Sequence, residues 1–287
     1  PPKTDRGMAN LSETIQQLCR YKPEYISVTY GAGGGNVGAN RQVCRMVRNA
    51  GTVPVTHFTV IRNTKQGIRE QLETYLKEGV DHILALRGDF PRGETSTGGD
   101  FNYATDLVKF IRDEFGEQFE IAVAGSPEGH ISCRSLEADI GVLKMKQDNG
   151  ADYIMTQLCW DMEQFERWLD KIRRAGVTLP VDVGIMPILD QAATINMALS
   201  RNGCVMDREL SRLISKYWIF PNPFDKAPFD DSLEQKKADF KKAGIEYTIR
   251  QIDKYRSLGV EGIHLYAMNK WKDVSQIIER SGIRTLI

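Results

Sequence analysis

Four times along the chain a helical stretch stops at a glycine and a strand-like run follows at once: KEGVDHI, DNGADYI, RAGVTLP and SLGVEGI. Glycine ends a helix in the left-handed conformation that residues with a side chain avoid. A strand that begins a few residues after such a stop must run back past the helix just completed. Repetition of that step gives parallel strands, since neighbouring parallel strands need a crossover connection that is usually a helix. The strand candidates are Glu24–Tyr30, Val53–Thr59, Asp81–Leu86, Phe119–Ala124, Asp152–Gln157, Val181–Met186 and Gly262–Ala267. Each is short and nearly continuous in apolar residues, as strands covered on both faces must be.

Helical stretches with apolar residues at three- and four-residue spacing lie between them, among them Ile68–Leu76, Leu136–Lys146 and Phe165–Ile172. Most successive strands start about 28 to 38 residues apart, the length of one βα unit. The exception is the interval from Val181–Met186 to Gly262–Ala267, which includes the Pro- and Asp-rich stretch Pro221–Ser232. It reads as extra helices on one face. No Gly/Ser linker or low-complexity segment marks a domain boundary, so residues 1–287 are expected to form a single α/β domain. The expected fold is a (β/α)8 TIM barrel with extra helices between the last two strands. An open doubly wound sheet is the competing architecture. A closed barrel needs eight strands and seven are visible. The opening Pro1-Pro2-Lys3-Thr4, directly before a helix at about Met8–Arg20, reads as the tail of a first strand that is missing or truncated.

Lys plus Arg and Asp plus Glu both number 38, so no net charge draws the chain to nucleic acid or to a membrane surface. No apolar run approaches the roughly 20 residues of a membrane span, and no secretory leader is visible. The cysteines Cys19, Cys44, Cys133, Cys159 and Cys204 are widely spaced without a C-x-x-C pair, which fits buried thiols in a reducing cytoplasm. His57, His82, His130 and His264 are scattered, so no metal site is expected.

In a parallel barrel the site lies at the C-terminal ends of the strands. That rule selects Thr29, Tyr30, His57, Thr59, Arg87, Asp89, Ser126, Gln157, Tyr266 and Asn269. Polar groups ending otherwise apolar strands need partners, which a ligand can supply. The run LRGDFP places Arg87 and Asp89 on either side of Gly88. The guanidinium can pair with a phosphate or ring carbonyl, and the carboxylate with N–H groups of a heterocycle. A tight-turn ion pair between the two is the plainer reading. Gly33-x-Gly35-x-x-Gly38 formally matches a dinucleotide fingerprint, but the next strand carries Thr56, His57 and Thr59 and no carboxylate for a ribose. Asp139 and Lys146 share one helical face, and Gly125-Ser-Pro-Glu-Gly-His130 is dense in turn formers. No nucleophile–histidine–acid set is evident. The residues point to an enzyme with an organic cofactor and do not name it.

At these positions the chain resembles the methylenetetrahydrofolate reductase family. The resemblance lies in PPKT, SVTYGAGG, THFT, LRGDFP, YATDL, SPEGH, GADYIMTQ, GIMPI and HLYAMN, in that order over essentially the whole sequence. It implies a barrel holding FAD, to which NADH or NADPH delivers hydride before methylenetetrahydrofolate takes its place and is reduced. Carried over residue by residue, Thr29, Tyr30, Ala32, His57, Arg87, Gly88, Asp89, Tyr103, Ala104, His130, Asp139 and Lys146 would contact FAD. Asp89 and Gln157 would be catalytic, and Gln157, Tyr266 and Lys270 would bind substrate. The family's general-acid Glu would lie just upstream of Pro1, outside the sequence. Ser126 stands where some members have an aromatic residue against the flavin, and Lys270 where some have Arg. The short chain is expected to lack the regulatory domain of the eukaryotic enzymes. Similar members in acetogenic bacteria suggest an alternative, a flavin-binding subunit of an electron-transfer complex with an iron–sulfur partner. A homo-oligomer or such a hetero-complex is the expected assembly.

Overall fold

The computed structural model describes residue 2 and residues 4–29, 37–90, 93, 96–200, 202–219 and 232–284. Seven parallel strands form one sheet in strict chain order. They are β1 Tyr25–Val28, β2 Val53–Thr59, β3 His82–Leu86, β4 Glu120–Gly125, β5 Tyr153–Thr156, β6 Val181–Ile185 and β7 Gly262–Leu265. The helices are α1 Asp5–Cys19, α2 Val37–Asn49, α3 Lys65–Lys77, α4 Ala104–Phe115, α5 Leu136–Asp148, α6 Met162–Arg174, α7 Gln191–Leu199, α8 Arg208–Lys216, α9 Ser232–Ser257 and α10 Trp271–Ser281. A doubly wound sheet reverses its strand order at a switch point. Among the described residues the order β1 to β7 has no reversal, so each crossover advances in the same direction and the topology is not doubly wound.

The sheet curls until its first and last strands face each other. Ser27 Oγ of β1 lies 3.0 Å from His264 Nε2 of β7, and the Tyr25 and His264 rings are 5.8 Å apart. Among the described residues only side chains bridge this gap, with no backbone pairing between β1 and β7.

Alternation along the strands separates two buried faces. Val28, Phe58, Ile83, Ala85, Ile121, Val123, Ile154, Val183 and Ile185 join the core shared with the helices. The intervening Val55, Leu84, Ala122, Tyr153 and Met155 form a second cluster inside the curl. Full burial of an aliphatic or aromatic side chain of this size is worth about 1.5–3 kcal/mol, so register is strongly specified. A slip of one residue would exchange the two faces.

Capping explains where helices begin. Thr4 Oγ1 accepts from Gly7 N at 3.1 Å, which starts α1 at Asp5, three residues before the sequence expectation. Ser135, Asp161, Asp190 and Asp207 cap α5, α6, α7 and α8 in the same way. The long interval before β7 contains α7, α8 and α9. These helices share a separate core with Leu158, Trp160, Met186 and Ile188 beyond the ends of β5 and β6. Of the Pro221–Ser232 stretch, residues 221–231 lie outside the described residues.

Candidate functional site at the strand ends

The end of β3, the loop after β4 and helix α5 bring five charged or ionisable groups together. Asp139, Arg87, Lys146 and Asp89 all act electrostatically on His130. Asp139 and Lys146, two turns apart on α5, thus face the same point as the LRGD run and the SPEGH loop. Arg87 and Asp89 form no ion pair among the described residues. The guanidinium instead stacks over Phe90, 4.5 Å from the ring centroid, and its Nε donates to the Gly88 carbonyl at 3.2 Å. Gly88 has φ +84°, and a β-carbon there would meet Ile61 and Thr59. The chain turns tightly against β2 at this point and leaves both charged side chains on the mouth.

The SPEGH loop is folded onto α5. Asp139 Oδ2 accepts from His130 N at 3.1 Å and its Oδ1 accepts from the Cys133 thiol at 3.4 Å. Ser132 N donates to His130 Nδ1 at 3.1 Å. In the neutral ring the nitrogen that accepts is bare and the other carries the proton, so Nε2 is the donor. Burial lowers the His130 pKa, opposed by Asp139. Lys146 Nζ donates to the Ala124 carbonyl at 2.8 Å, and burial lowers its pKa although Asp139 opposes the shift. Tyr103 precedes α4, exposed, with its backbone N donating to Asp106 Oδ2 at 3.0 Å, and Ala104 is the helix's first residue.

His57 and Thr59 lie at the end of β2. His57 Nε2 and Thr59 Oγ1 are buried without a hydrogen-bond partner among the described residues. Burial pushes the His57 pKa down to about 4, so the ring is neutral at physiological pH. Unpaired polar atoms of this kind are costly and mark a place for water or ligand.

Gln157 follows β5 and Tyr266 follows β7, on either side of β6. Gln157 Oε1 accepts from Leu158 N at 3.0 Å, which leaves its NH2 group as the free end. Tyr266 leans across β6 so that its hydroxyl donates to the Thr156 carbonyl at 3.3 Å. The residue it crosses is Gly184, where a β-carbon would run into the Thr156 carbonyl oxygen and stand 2.9 Å from the Tyr266 hydroxyl. Lys270 is exposed just before α10, and its ammonium has no partner among the described residues. Thr29 is exposed beyond β1 and Ser126 half-buried beyond β4. Tyr30 and Ala32 lie outside the described residues.

Below the mouth lies a polar cluster that reasoning from strand ends does not select. Tyr25 donates to Asp182 Oδ2 at 2.7 Å, His264 contacts Ser27, and Tyr153 OH and His264 Nδ1 lack partners among the described residues. Burial pushes the His264 pKa down to about 4, with nearby His57 adding to the shift. Period-two alternation held the signal, since His264 shares a face with Tyr266 and Ser27 with Thr29. A second unselected set lies on α9. Tyr247 donates to the Trp160 carbonyl at 3.0 Å, while Gln251 and Tyr255 both donate to the Cys159 carbonyl at 2.7 Å. Their spacing of four residues puts them on one helix face, and they secure the loop that follows Gln157.

Among the described residues no three His, Cys, Asp or Glu side chains gather to hold a metal ion, and no helix is long and apolar enough to cross a membrane.

A curled parallel sheet with helices outside, and with its unpartnered polar groups at the C-terminal strand ends, defines a TIM-barrel-like α/β protein. A solved Clostridium thermocellum protein that binds two copies of 5-methyl-5,6,7,8-tetrahydrofolic acid has a similar fold, with a TM-score of 0.58 and 12% identity over 99% of this chain and 93% of that one. Residues 1–214 match the family model for methylenetetrahydrofolate reductase, and the chain belongs to that family. It is 32% identical to methylenetetrahydrofolate reductase 1 of Schizosaccharomyces pombe, over 99% of this chain and 45% of the relative. Identity to the 5,10-methylenetetrahydrofolate reductase of Escherichia coli is 29%, over 99% of this chain and 89% of that protein. The NADH enzyme 1 of Arabidopsis thaliana is 31% identical over 47% of its length. The chain thus spans about half the length of the eukaryotic relatives it matches.

Proposed function

We propose that this chain reduces 5,10-methylenetetrahydrofolate to 5-methyltetrahydrofolate, with NADH or NADPH as electron source and FAD as resident cofactor. The observation that carries the reading is the convergence of Arg87, Asp89, His130, Asp139 and Lys146 at one side of the mouth. Family membership gives that convergence its chemical meaning. Relatives named for NADH in Arabidopsis and for NADPH in Caenorhabditis elegans support leaving both nucleotides in the proposal.

The residues fit FAD. Buried His57 Nε2 and Thr59 Oγ1 want hydrogen-bond partners, the backbone at Gly88 is free of a side chain, and Asp139 holds the His130 loop through His130 N and the Cys133 thiol. FAD would supply the ring that accepts hydride from one substrate and returns it to the other, which side chains cannot do. Arg87, Lys146 and the Nε2–H of His130 would hold its anionic and carbonyl oxygens, and Asp139 would keep the His130 loop closed on α5. Thr29, Tyr30, Ala32, Gly88, Tyr103 and Ala104 would complete the contacts. Asp89, exposed at the mouth, would polarise the ring from its edge. Gln157 would direct its NH2 group to the folate and then to the nicotinamide, with Tyr266 shaping the same pocket and Lys270 at its outer rim. In the net reaction the bridging carbon gains a hydride, and the ring nitrogen that releases it gains a proton.

The side-chain contacts from β1 to β7 support reading the sheet as the greater part of a closed eight-stranded barrel. The test of the whole reading is the purified protein. It should show a flavin absorbance spectrum, release FAD on denaturation and oxidise NADH or NADPH in the presence of methylenetetrahydrofolate. A colourless protein that takes up no FAD rejects it.

A further inference from the structure

Strand β1 is an edge of the described sheet. It is four residues long and pairs only with β2, its last pair being Val28 with Thr56. The carbonyls of Val28 and Thr29 therefore need partners from elsewhere. Asn40, on α2 and fully buried, supplies them both. Its Nδ2 donates to the Val28 carbonyl at 3.1 Å and to the Thr29 carbonyl at 3.2 Å. Carbonyl oxygens can only accept, so the orientation of the amide is forced. The opposite end, Oδ1, accepts from the Thr56 hydroxyl at 2.9 Å, from the Tyr75 hydroxyl at 2.7 Å and, more weakly, from the Cys44 thiol at 3.6 Å. One side chain thus ties the tip of β1 to α2, β2 and α3.

We propose that Asn40 is a positioning residue of the flavin site, which holds the β1 terminus so that Thr29 presents its side chain to the cofactor. This rests on the FAD reading above. Its physical basis is the separation of two functions across one amide. The Oδ1 end serves the packing of α3 and β2, whereas the Nδ2 end alone serves the backbone of the mouth. A merely structural asparagine would be equally sensitive at both ends.

The substitution Asn40→Asp keeps the acceptor for Thr56 and Tyr75 and sets an oxygen against the two carbonyls. The controls Tyr75→Phe and Thr56→Val remove donors at the Oδ1 end and leave the carbonyl contacts in place. FAD affinity, read by flavin fluorescence quenching, should fall at least tenfold in Asn40→Asp at pH 8. Part of that loss should return at pH 5.5, where a protonated carboxyl can donate to one carbonyl. Both controls should lower the melting temperature and keep the FAD dissociation constant within twofold of the parent protein. If Asn40→Asp does not fold, Asn40→Ala replaces it, with the same tenfold weakening expected and no recovery in acid. Binding within twofold of the parent in a folded Asn40 variant overturns the proposal, as does equal weakening in the controls. Failure of the parent protein to bind FAD would instead reject the cofactor assignment itself, and this proposal with it.

Discussion

Lowering the pH from 7 to 4.5 should destabilise the fold through His57 and His264, two imidazoles inside the curl, each with one sealed nitrogen that has no partner among the described residues. Burial lowers each from the ordinary 6.5 to about 4. The unfolded chain takes up a proton on each ring as pH falls through 6.5, whereas the folded chain does so only near 4. Between those values the unfolded state binds more protons, so stability rises with pH there and is lost as the solution is acidified. The slope is about 1.4 kcal/mol per pH unit for each ring, and the loss accumulated at pH 4.5 is about 2 kcal/mol per ring. His264→Gln isolates one of them, since an amide keeps a partner for Ser27 and does not titrate. Urea denaturation at constant ionic strength should show the stability difference between parent and variant shifting by about 2 kcal/mol across this range. Two-dimensional NMR of the imidazole nitrogens should show His264 neutral at pH 5.5. An His264 ring that titrates near 6.5 in the folded protein, or a pH-independent difference, would refute the argument.

Gly184→Ala should cost about 1–3 kcal/mol, as overpacking of a filled interior does, because the new β-carbon meets the Thr156 carbonyl and the Tyr266 hydroxyl. The variant should melt lower and turn over folate more slowly, and an unchanged melting curve would show that β6 has room to spare. Asp89→Asn should retain bound flavin and slow the folate half-reaction about tenfold or more, equivalent to roughly 1.4 kcal/mol in the barrier, with a smaller effect on NAD(P)H oxidation. Stopped-flow measurement of the two half-reactions decides this, and equal losses would count against the assigned role. Gln157→Ala should weaken folate turnover while the protein stays yellow; release of flavin would place the residue elsewhere.

What could be read in the chain depended on how local the cause was. Strand β2 has the bounds that its apolar run indicates, Val53–Thr59. Strand β1 is shorter than Glu24–Tyr30, ending at Val28, because its last carbonyls leave the ladder for the Asn40 amide. Helix α1 starts three residues before its apolar pattern indicates, because Thr4 caps it by accepting from Gly7 N. Residues at strand ends, Arg87 and Asp89 among them, follow from the parallel fold, whereas His130, Asp139 and Lys146 lie on the next loop and on α5 and act electrostatically at the same place. Asn40 and Gln251 could not be found that way. Each is a polar residue within a helix, buried by partners as distant as Cys159, 92 positions before Gln251.

The two ends of the sheet differ in how their charges are satisfied, and this directs chemistry to one of them. At the N-terminal end His82 sits 2.8 Å from Asp81 and 3.0 Å from Glu120, Arg112 pairs with Asp152, and Arg173 Nη2 lies 3.7 Å from Glu261. These groups neutralise one another within the chain. At the C-terminal end Arg87, Asp89 and Lys270 have no ion-pair partner among the described residues, and His57 and Thr59 keep unpaired buried atoms. The sequence has equal numbers of acidic and basic residues, so the imbalance is one of arrangement and not of composition. The buried unmet hydrogen bonds of His57 and Thr59 raise the free energy of the ligand-free mouth. A ligand that supplies both an anionic group and a hydrogen-bonding ring edge would meet the unpaired atoms of His57 and Thr59 and the charges of Arg87 and Lys270 together.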